Sequence, residues 1–305
     1  MQSIKKDILN IKPLLILILF CSYSYTVTAQ SSVESFSEGV EYTNDSQILE
    51  EFKAEAKALI SEGVQFTPEK AARELKKNMN KRIHIKSPSP NKTALKGSSI
   101  YQKAVRSTVL IGKPYSHGDH NHFATASGYI IDRSGIVVTN YHVVEVYANR
   151  IREAFAMLAH TNDGKTYLVK KILSASKEQD LAILQLETNG DKLTPIALGQ
   201  PATVGSTIYV LSHPQEMVNF FSKGIVSRNV KNEDHHSNIL EYEMSITADY
   251  GVGSSGGPIL DRFGNLVGTV ASTYNIYANP QQNKGLQIVV KSAIPVAALK
   301  MMILD

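Results

Sequence analysis

Three segments of the chain carry residue types that do chemistry together. Thr139-Asn140-Tyr141-His142-Val143-Val144 ends an apolar run with a histidine, and Gln179-Asp180-Leu181-Ala182-Ile183-Leu184 sets a carboxylate directly before a fully apolar stretch. Gly253-Ser254-Ser255-Gly256-Gly257-Pro258 sets a serine between glycines. A serine hydroxyl is a weak nucleophile at neutral pH, so it needs an imidazole to take its proton. The imidazole needs a partner on its other nitrogen to fix the tautomer and stabilise the cation. In the order His, Asp, Ser, these types suit acyl transfer, with Ser255 as nucleophile, His142 as general base and Asp180 as the group orienting the base. Gly253 and Gly256 allow a turn free of side-chain obstruction, so the N–H groups of Gly253 and Ser255 are the candidate donors to the oxygen that turns negative. Ser254 is the rival nucleophile, but the Gly-x-Ser-Gly-Gly register favours Ser255.

These residues have to be positioned by something, and from Ile100 onward the chain is a succession of short β-rich runs. They are Val105–Ile111, Ala126–Ile131, Gly135–Thr139, Tyr167–Leu173, Leu181–Leu186, Thr207–Leu211, Gly224–Val226, Ile239–Ile246, Pro258–Leu260, Leu266–Ala271 and Leu286–Val290. Asp132-Arg133-Ser134-Gly135 and Asp261-Arg262-Phe263-Gly264 read as hairpin turns between them. Many short strands at regular spacing mean a sandwich or barrel, an all-β fold, rather than a parallel sheet. Within this region only Glu145–Ala159 reads as helical, an insertion between strands.

Upstream, Ile48, Leu49, Phe52, Ala56, Leu59 and Ile60 recur at helical spacing, with Asp45 and Ser46 as N-cap candidates and Gly63 as a stop. Thr67-Pro68-Glu69 opens a second helix with apolar side Ala71, Ala72, Leu75 and Met79. The pair reads as a docking or oligomerisation hairpin, with a regulatory pro-segment as the alternative. Ser87-Pro88-Ser89-Pro90-Asn91 is a linker by composition.

With the triad segments, Ala126-Ser127-Gly128-Tyr129-Ile130-Ile131 and Gly224-Ile225-Val226-Ser227 stand in the order and spacing of a known family. The chain resembles the trypsin-like serine peptidases and, within them, the high-temperature-requirement or Deg-type branch, over about residues 100 to 292. The resemblance implies two six-stranded antiparallel β-barrels of chymotrypsin-like fold with the cleft between them, after a short helical N-terminal segment. It implies peptide-bond hydrolysis through an acyl-enzyme with no cofactor and no metal, on polypeptide substrates. The substrate would add as a strand along Ala271-Ser272-Thr273, a mode that selects extended or unfolded chain. Thr273 would narrow the primary specificity pocket to small aliphatic residues, while Asp249, six residues before Ser255, is the candidate carboxylate for a basic-specific pocket.

Departures from the family's pattern carry their own expectations. Most members of the branch continue into PDZ domains, whereas this sequence stops at Asp305, so activation through such a domain is not expected. Ser254 stands where digestive zymogens have the aspartate that pairs with a freed amino terminus, which removes that activation route. His213-Pro214 stands where the branch has Asn-Pro. The rivals are a protease-fold binding module or chaperone and a glutamyl-specific secreted endopeptidase. Val270, where the latter has a histidine, argues against it.

The 305 residues thus divide into a signal peptide (1–29), a leader, helical hairpin and Pro/Ser linker (30–98) and a protease domain (99–305). The first of these rests on Lys5, Lys6 and Lys12, the apolar run Leu14–Phe20 and Val27-Thr28-Ala29 before Gln30. That run is too short to span a bilayer, so an exported product, periplasmic or extracellular, with no membrane anchor after cleavage is expected. Of the net charge of +4, Lys5, Lys6 and Lys12 against Asp7 account for +2, and the +2 that remains gives no reason to expect nucleic acid as partner. Cys21, the only cysteine, leaves with the signal, so stability must come from a core rather than disulfides. His117, His120 and His122 read as a solvated loop, with a zinc or copper site as the alternative, and His235-His236 as another exposed loop. A homo-oligomer is compatible with all of this.

Overall fold

The computed structural model describes residues 40, 42–234 and 239–304. The proposed signal peptide and His235-His236 lie outside them.

Helix α1 (Asp45–Glu62) opens on Asn44, whose side chain accepts the Gln47 N–H at 3.2 Å, and Gly63 closes it. The cap is thus one residue earlier than the sequence suggests. Asp45 has another use: its Oδ1 accepts the Val218 N–H at 2.8 Å. Helix α2 (Pro68–Lys77) starts with Thr67 Oγ1 accepting from Lys70 N–H and Pro68 in the first turn, as read from the sequence. The apolar side of α1, Leu49, Phe52 and Ala56, packs on Leu110, Ala156 and Leu158, and that of α2, Ala71 and Leu75, joins Ile111, Tyr147 and Ile172. Both helices therefore spend their apolar faces on the chain's own first-barrel region, α2 in part on the helix of residues 141–148.

Strand β1 (Ile83–His84) follows, and then helix α3 (Gly97–Val105), which buries Ile100, Ala104 and Val105. Val105 was expected to begin a strand, but it ends this helix, because its side chain joins the packing behind the two sheets. Six strands then close a first barrel: β2 (Thr108–His117), β3 (His120–Asp132), β4 (Ile136–Thr139), β5 (Leu158–Thr161), β6 (Thr166–Ser176) and β7 (Leu181–Leu186), in the order β2-β3-β4-β7-β6-β5. Six more close a second: β8 (Thr207–Ser212), β9 (Phe220–Asp234), β10 (Ile239–Ile246), β11 (Pro258–Asp261), β12 (Leu266–Asn279) and β13 (Lys284–Pro295), in the order β10-β13-β12-β11-β8-β9. All pairs within the barrels are antiparallel, and closure removes the open edges that a flat sheet would expose. The fold is all-β with two six-stranded barrels, as expected. Helix α5 (Val296–Met301) and β14 (Ile303–Leu304), which pairs parallel with β1, complete the chain.

One segment departs from the sequence reading. Instead of Glu145–Ala159, helix α4 spans Tyr141–Ala148, and Leu158–Thr161 is the strand β5, paired with both β2 and β6. Helical spacing of apolar residues loses here to the ladder that closing the barrel requires. The segment of His117, His120 and His122 is the tip of the β2–β3 hairpin, with a turn of Gly118 and Asp119 between paired His117 and His120.

Each barrel has its own interior, and a further core lies between them. Tyr129, Ile131, Val138 and Ile183 of the first barrel meet Leu211, Leu260, Leu266 and Ile294 of the second. The buried Tyr129 and Thr269 hydroxyls are 2.7 Å apart across that seam. Burial of this much apolar surface fixes the two barrels against each other, so groups from both can be held in register at one cleft.

Candidate active site

His142 sits in the first turn of α4, directly after β4, and Asp180 directly before β7, which pairs with β4. The sheet therefore brings them together. His142 Nδ1 is 2.8 Å from Asp180 Oδ2, and the His142 backbone N–H donates to Asp180 Oδ1 at 2.9 Å. The Asp180 carbonyl accepts from Tyr141 N–H and Asn140 Nδ2, both at 3.0 Å. Asp180 reaches this position with φ of +48°, a left-handed conformation that aspartate tolerates better than most residues. The carboxylate leaves Nε2 as the imidazole nitrogen free to face a substrate.

Ser255 lies in the turn before β11. Its Oγ–H donates to the Ala271 carbonyl at 3.3 Å. Ser254 is wholly buried, with its Oγ accepting from the Gly251 N–H at 3.2 Å and from the Ser212 hydroxyl at 3.0 Å. The two serines thus face opposite surroundings: one is fixed in the core, and the other is partly exposed. The Val252 carbonyl is taken by the Gln215 N–H at 2.8 Å. In a trans peptide the C=O and N–H point in opposite directions, so the Gly253 N–H points away from the Gln215 loop. Among the described residues, neither the Gly253 nor the Ser255 N–H has an acceptor. Gly253 has φ of +95°, and a Cβ there would lie 2.7 Å from the His213 carbonyl. Gly256 has φ of +86°, and a Cβ there would run into the Ser127 carbonyl and Thr139. Only glycine fits at either position.

The loop that receives Val252 is held in an unusual way. Ser127 Oγ accepts the His213 N–H and donates to the Gly253 carbonyl, both at 3.0 Å, so one hydroxyl ties the His213 loop to the turn of the serine. The Ser127 N–H also donates to the Ser255 carbonyl at 2.9 Å, and Thr139 Oγ1 donates to the Ser127 carbonyl at 2.8 Å. His213 is buried, and its Nδ1 accepts the Asn219 N–H at 3.1 Å. Burial pushes the His213 imidazole down to about 4. Gln215, Glu216 and Asn219 in this loop all have positive φ. A cavity of about 80 Å³ beside it is lined by Ile48 and Glu51 of α1 together with His160 and His213. The His160 ring stacks on Phe52 at 4.9 Å, and burial lowers its pKa.

Ala271, Ser272 and Thr273 follow the seam residue Thr269 with only Val270 between. The β12–β13 register slips between Val270 and Ser272, so Ala271 is a bulge residue whose carbonyl turns to Ser255. Asp249 is highly exposed at 81%, and its Oδ1 is 3.8 Å from Lys291 Nζ, which also donates to the Tyr250 carbonyl at 2.6 Å. The Tyr250 hydroxyl donates toward the carbonyls of Ser272 and Ser292, bracing the start of this strand. The roles of Ser127, Tyr250 and Lys291 were not legible beforehand. Ser127 stood inside a quoted motif and His213 inside a noted departure, but neither pattern reveals which carbonyl a hydroxyl reaches.

Two antiparallel six-stranded barrels, with the His142–Asp180 pair on the first and the Ser255 turn on the second, resemble the trypsin-like peptidases, and the relatives found are Deg-type proteases. Residues 126–268 match the family model described as trypsin-like peptidase domain. Protease Do-like 5, chloroplastic, of Arabidopsis thaliana is 29% identical over 180 residues, 56% of this chain and 54% of that protein. A DegP-like periplasmic serine endoprotease of Chlamydia muridarum is 26% identical over 47% of this chain and 27% of its own length. The chain thus spans about half or less of these relatives. The crystal structure of Deg5 covers 67% of this chain and 90% of its own at 26% identity, with a TM-score of 0.52.

Proposed function

We propose that the protein is an exported serine endopeptidase that hydrolyses unfolded or extended polypeptides through an acyl-enzyme. What supports this reading is the doubly bonded His142–Asp180 pair, a partly exposed Ser255 whose turn packs on Thr139 three residues before His142, and two unclaimed N–H groups. The Ser255 hydroxyl leaves the Ala271 carbonyl and gives its proton to His142 Nε2 as Oγ attacks the scissile carbonyl. Asp180 stabilises the imidazolium, and the Gly253 and Ser255 N–H groups receive the oxyanion. Collapse returns the proton to the leaving amine, and water, deprotonated by the same imidazole, then frees the acyl group. The substrate backbone adds along Ala271-Ser272-Thr273, which makes affinity largely independent of sequence. Thr273 and the Asp249–Lys291 pair favour small aliphatic over basic residues before the cut, because Lys291 offsets the carboxylate that a basic side chain would need. Export rests on the amino-terminal pattern of residues 1–29 and on the periplasmic relative.

The test is digestion of an unfolded protein by the wild type and by Ser255→Ala, with sequencing of product termini. Cuts after Val, Ala, Thr or Ile by the wild type alone are expected. Equal digestion by both would refute the mechanism. A majority of cuts after Lys or Arg, abolished by Asp249→Ser, would refute the pocket.

A further inference from the structure

The β12–β13 hairpin is longer than the site requires. Pairing between β11 and β12 ends where Gly256 and Gly257 bond Val270, yet β12 runs on to Asn279. Beyond Val270, β13 is its partner strand among the described residues, so no strand pairs with the other edge of β12 from Ala271 to Asn279, where the Ala271 and Ser272 carbonyls meet only the Ser255 and Tyr250 hydroxyls. Past Thr273 this is six residues, about 20 Å of strand at about 3.4 Å per residue.

That stretch also presents an apolar face. Tyr274 pairs with Val290 and Ile276 with Ile288, and Tyr274, Ile276 and Ile288 are 49%, 43% and 56% exposed. Together with Ile246 they line a cavity of about 600 Å³ bounded by Arg228 and the Asp249–Lys291 pair. An open edge joined to exposed apolar side chains is what natural sheets usually cover or blunt.

We propose that this arm docks the part of the substrate polypeptide that lies upstream of the cut, as an extended segment with apolar residues at alternate positions. The inference rests on the peptidase reading above. Continuity selects the occupant: the open edge starts at the Ala271 carbonyl, 3.3 Å from Ser255 Oγ. A strand added antiparallel, like its neighbours in the barrel, with its reacting carbonyl at Ser255 runs toward its own amino terminus as β12 runs toward Asn279. Ile276 then faces substrate about five residues before the cut, and Asn279 about eight. The backbone edge supplies hydrogen bonds, and the Tyr274–Ile276–Ile288 face supplies the preference for apolar side chains.

The experiment uses quenched peptides with one fixed cleavage site and upstream arms of four or nine residues rich in Val, Ile and Thr. They are cut by the wild type and by Ile276→Ser/Ile288→Ser, with fluorophosphonate labelling of Ser255 as a control. The wild type should cut the long peptide about tenfold faster in kcat/KM than the short one. The variant should label normally, match the wild type on the short peptide and lose the gain. A labelled, cutting wild type with no gain, or a variant that keeps it, overturns the docking arm alone. A chain that neither labels nor cuts overturns the peptidase reading and this one with it. A dimer in sedimentation that the two substitutions abolish, with no gain from peptide length, assigns the edge to a second copy and overturns the proposal.

Discussion

On the first-barrel side of the site, Asp180 is tied to residues 140–142 by four hydrogen bonds, two through its carbonyl and two through its carboxylate. The anchoring strands β4 and β7 are neighbours in one sheet. On the second-barrel side, the turn of Ser255 depends on a loop with three positive-φ residues that are not glycine, and that loop is joined to the turn through the Ser127 hydroxyl and the Gln215–Val252 bond. The base is held by ties within one sheet of the first barrel, whereas the turn of the oxyanion donors is held by bonds drawn from Ser127, Ser212, Gln215 and Val270, far apart in sequence, beside a loop whose backbone stores strain. The same loop also touches α1 through Asp45 and Val218. Disturbance of the second-barrel side should therefore cost activity out of proportion to its cost in stability.

The largest effects belong to the reacting groups on both sides and test the assignment itself. Ser255→Ala and His142→Ala should each lower kcat/KM on an unfolded substrate by at least about 10⁴-fold, with thermal unfolding little changed. Ser254→Ala should do the reverse. It strands the Gly251 N–H and the buried Ser212 hydroxyl, costs about 1–3 kcal/mol of stability and leaves most of the activity. An active Ser255→Ala beside a dead Ser254→Ala would exchange the two assignments. Next, Gly253→Ala forces a Cβ against the His213 carbonyl, and kcat should fall about 10²–10³-fold, as for loss of one oxyanion donor.

A smaller effect sharpens the contrast directly. Ser127→Ala leaves the His213 N–H and the Gly253 carbonyl without their shared partner, and kcat should drop by about 10-fold or more with little change in KM. Asn140→Ala removes one of the four ties on the base side, and kcat should change by less than about fivefold, as for one net hydrogen bond. Equal losses from the two variants would erase the difference between the barrels.

The base side is also the side that the sequence made legible. His142 follows β4 and Asp180 precedes β7, so two adjacent strands, both readable from their apolar runs, already place the pair. The strands β7 and β10 were read with the bounds they have, because Leu181–Leu186 and Ile239–Ile246 are short runs flanked by polar residues. Strand β5 was not legible: Leu158–Thr161 becomes a strand only because β2 and β6 lie on either side of it. The reach of Ser127 was hidden for a similar reason. A hydroxyl between two segments far apart in sequence has no local pattern, and its role exists only once the barrels are assembled.

The smallest effect concerns pH and the same loop. His213 is buried, and burial holds its imidazole down at about 4 against an ordinary value of 6.5. The unfolded chain therefore binds a proton that the folded chain refuses, so stability falls as pH drops below 6.5 and stops falling once pH is below about 4. For this one group the loss between pH 7 and pH 5.5 is about 1 kcal/mol. His160, whose pKa burial also lowers, adds to it in the same direction. His213→Asn keeps an acceptor for the Asn219 N–H and has no imidazole to titrate, so its stability should be flatter across this range in urea titrations at stepped pH. An unchanged slope in His213→Asn would mean that acid acts on the first barrel instead, and that the loop under the oxyanion donors is not the more fragile side.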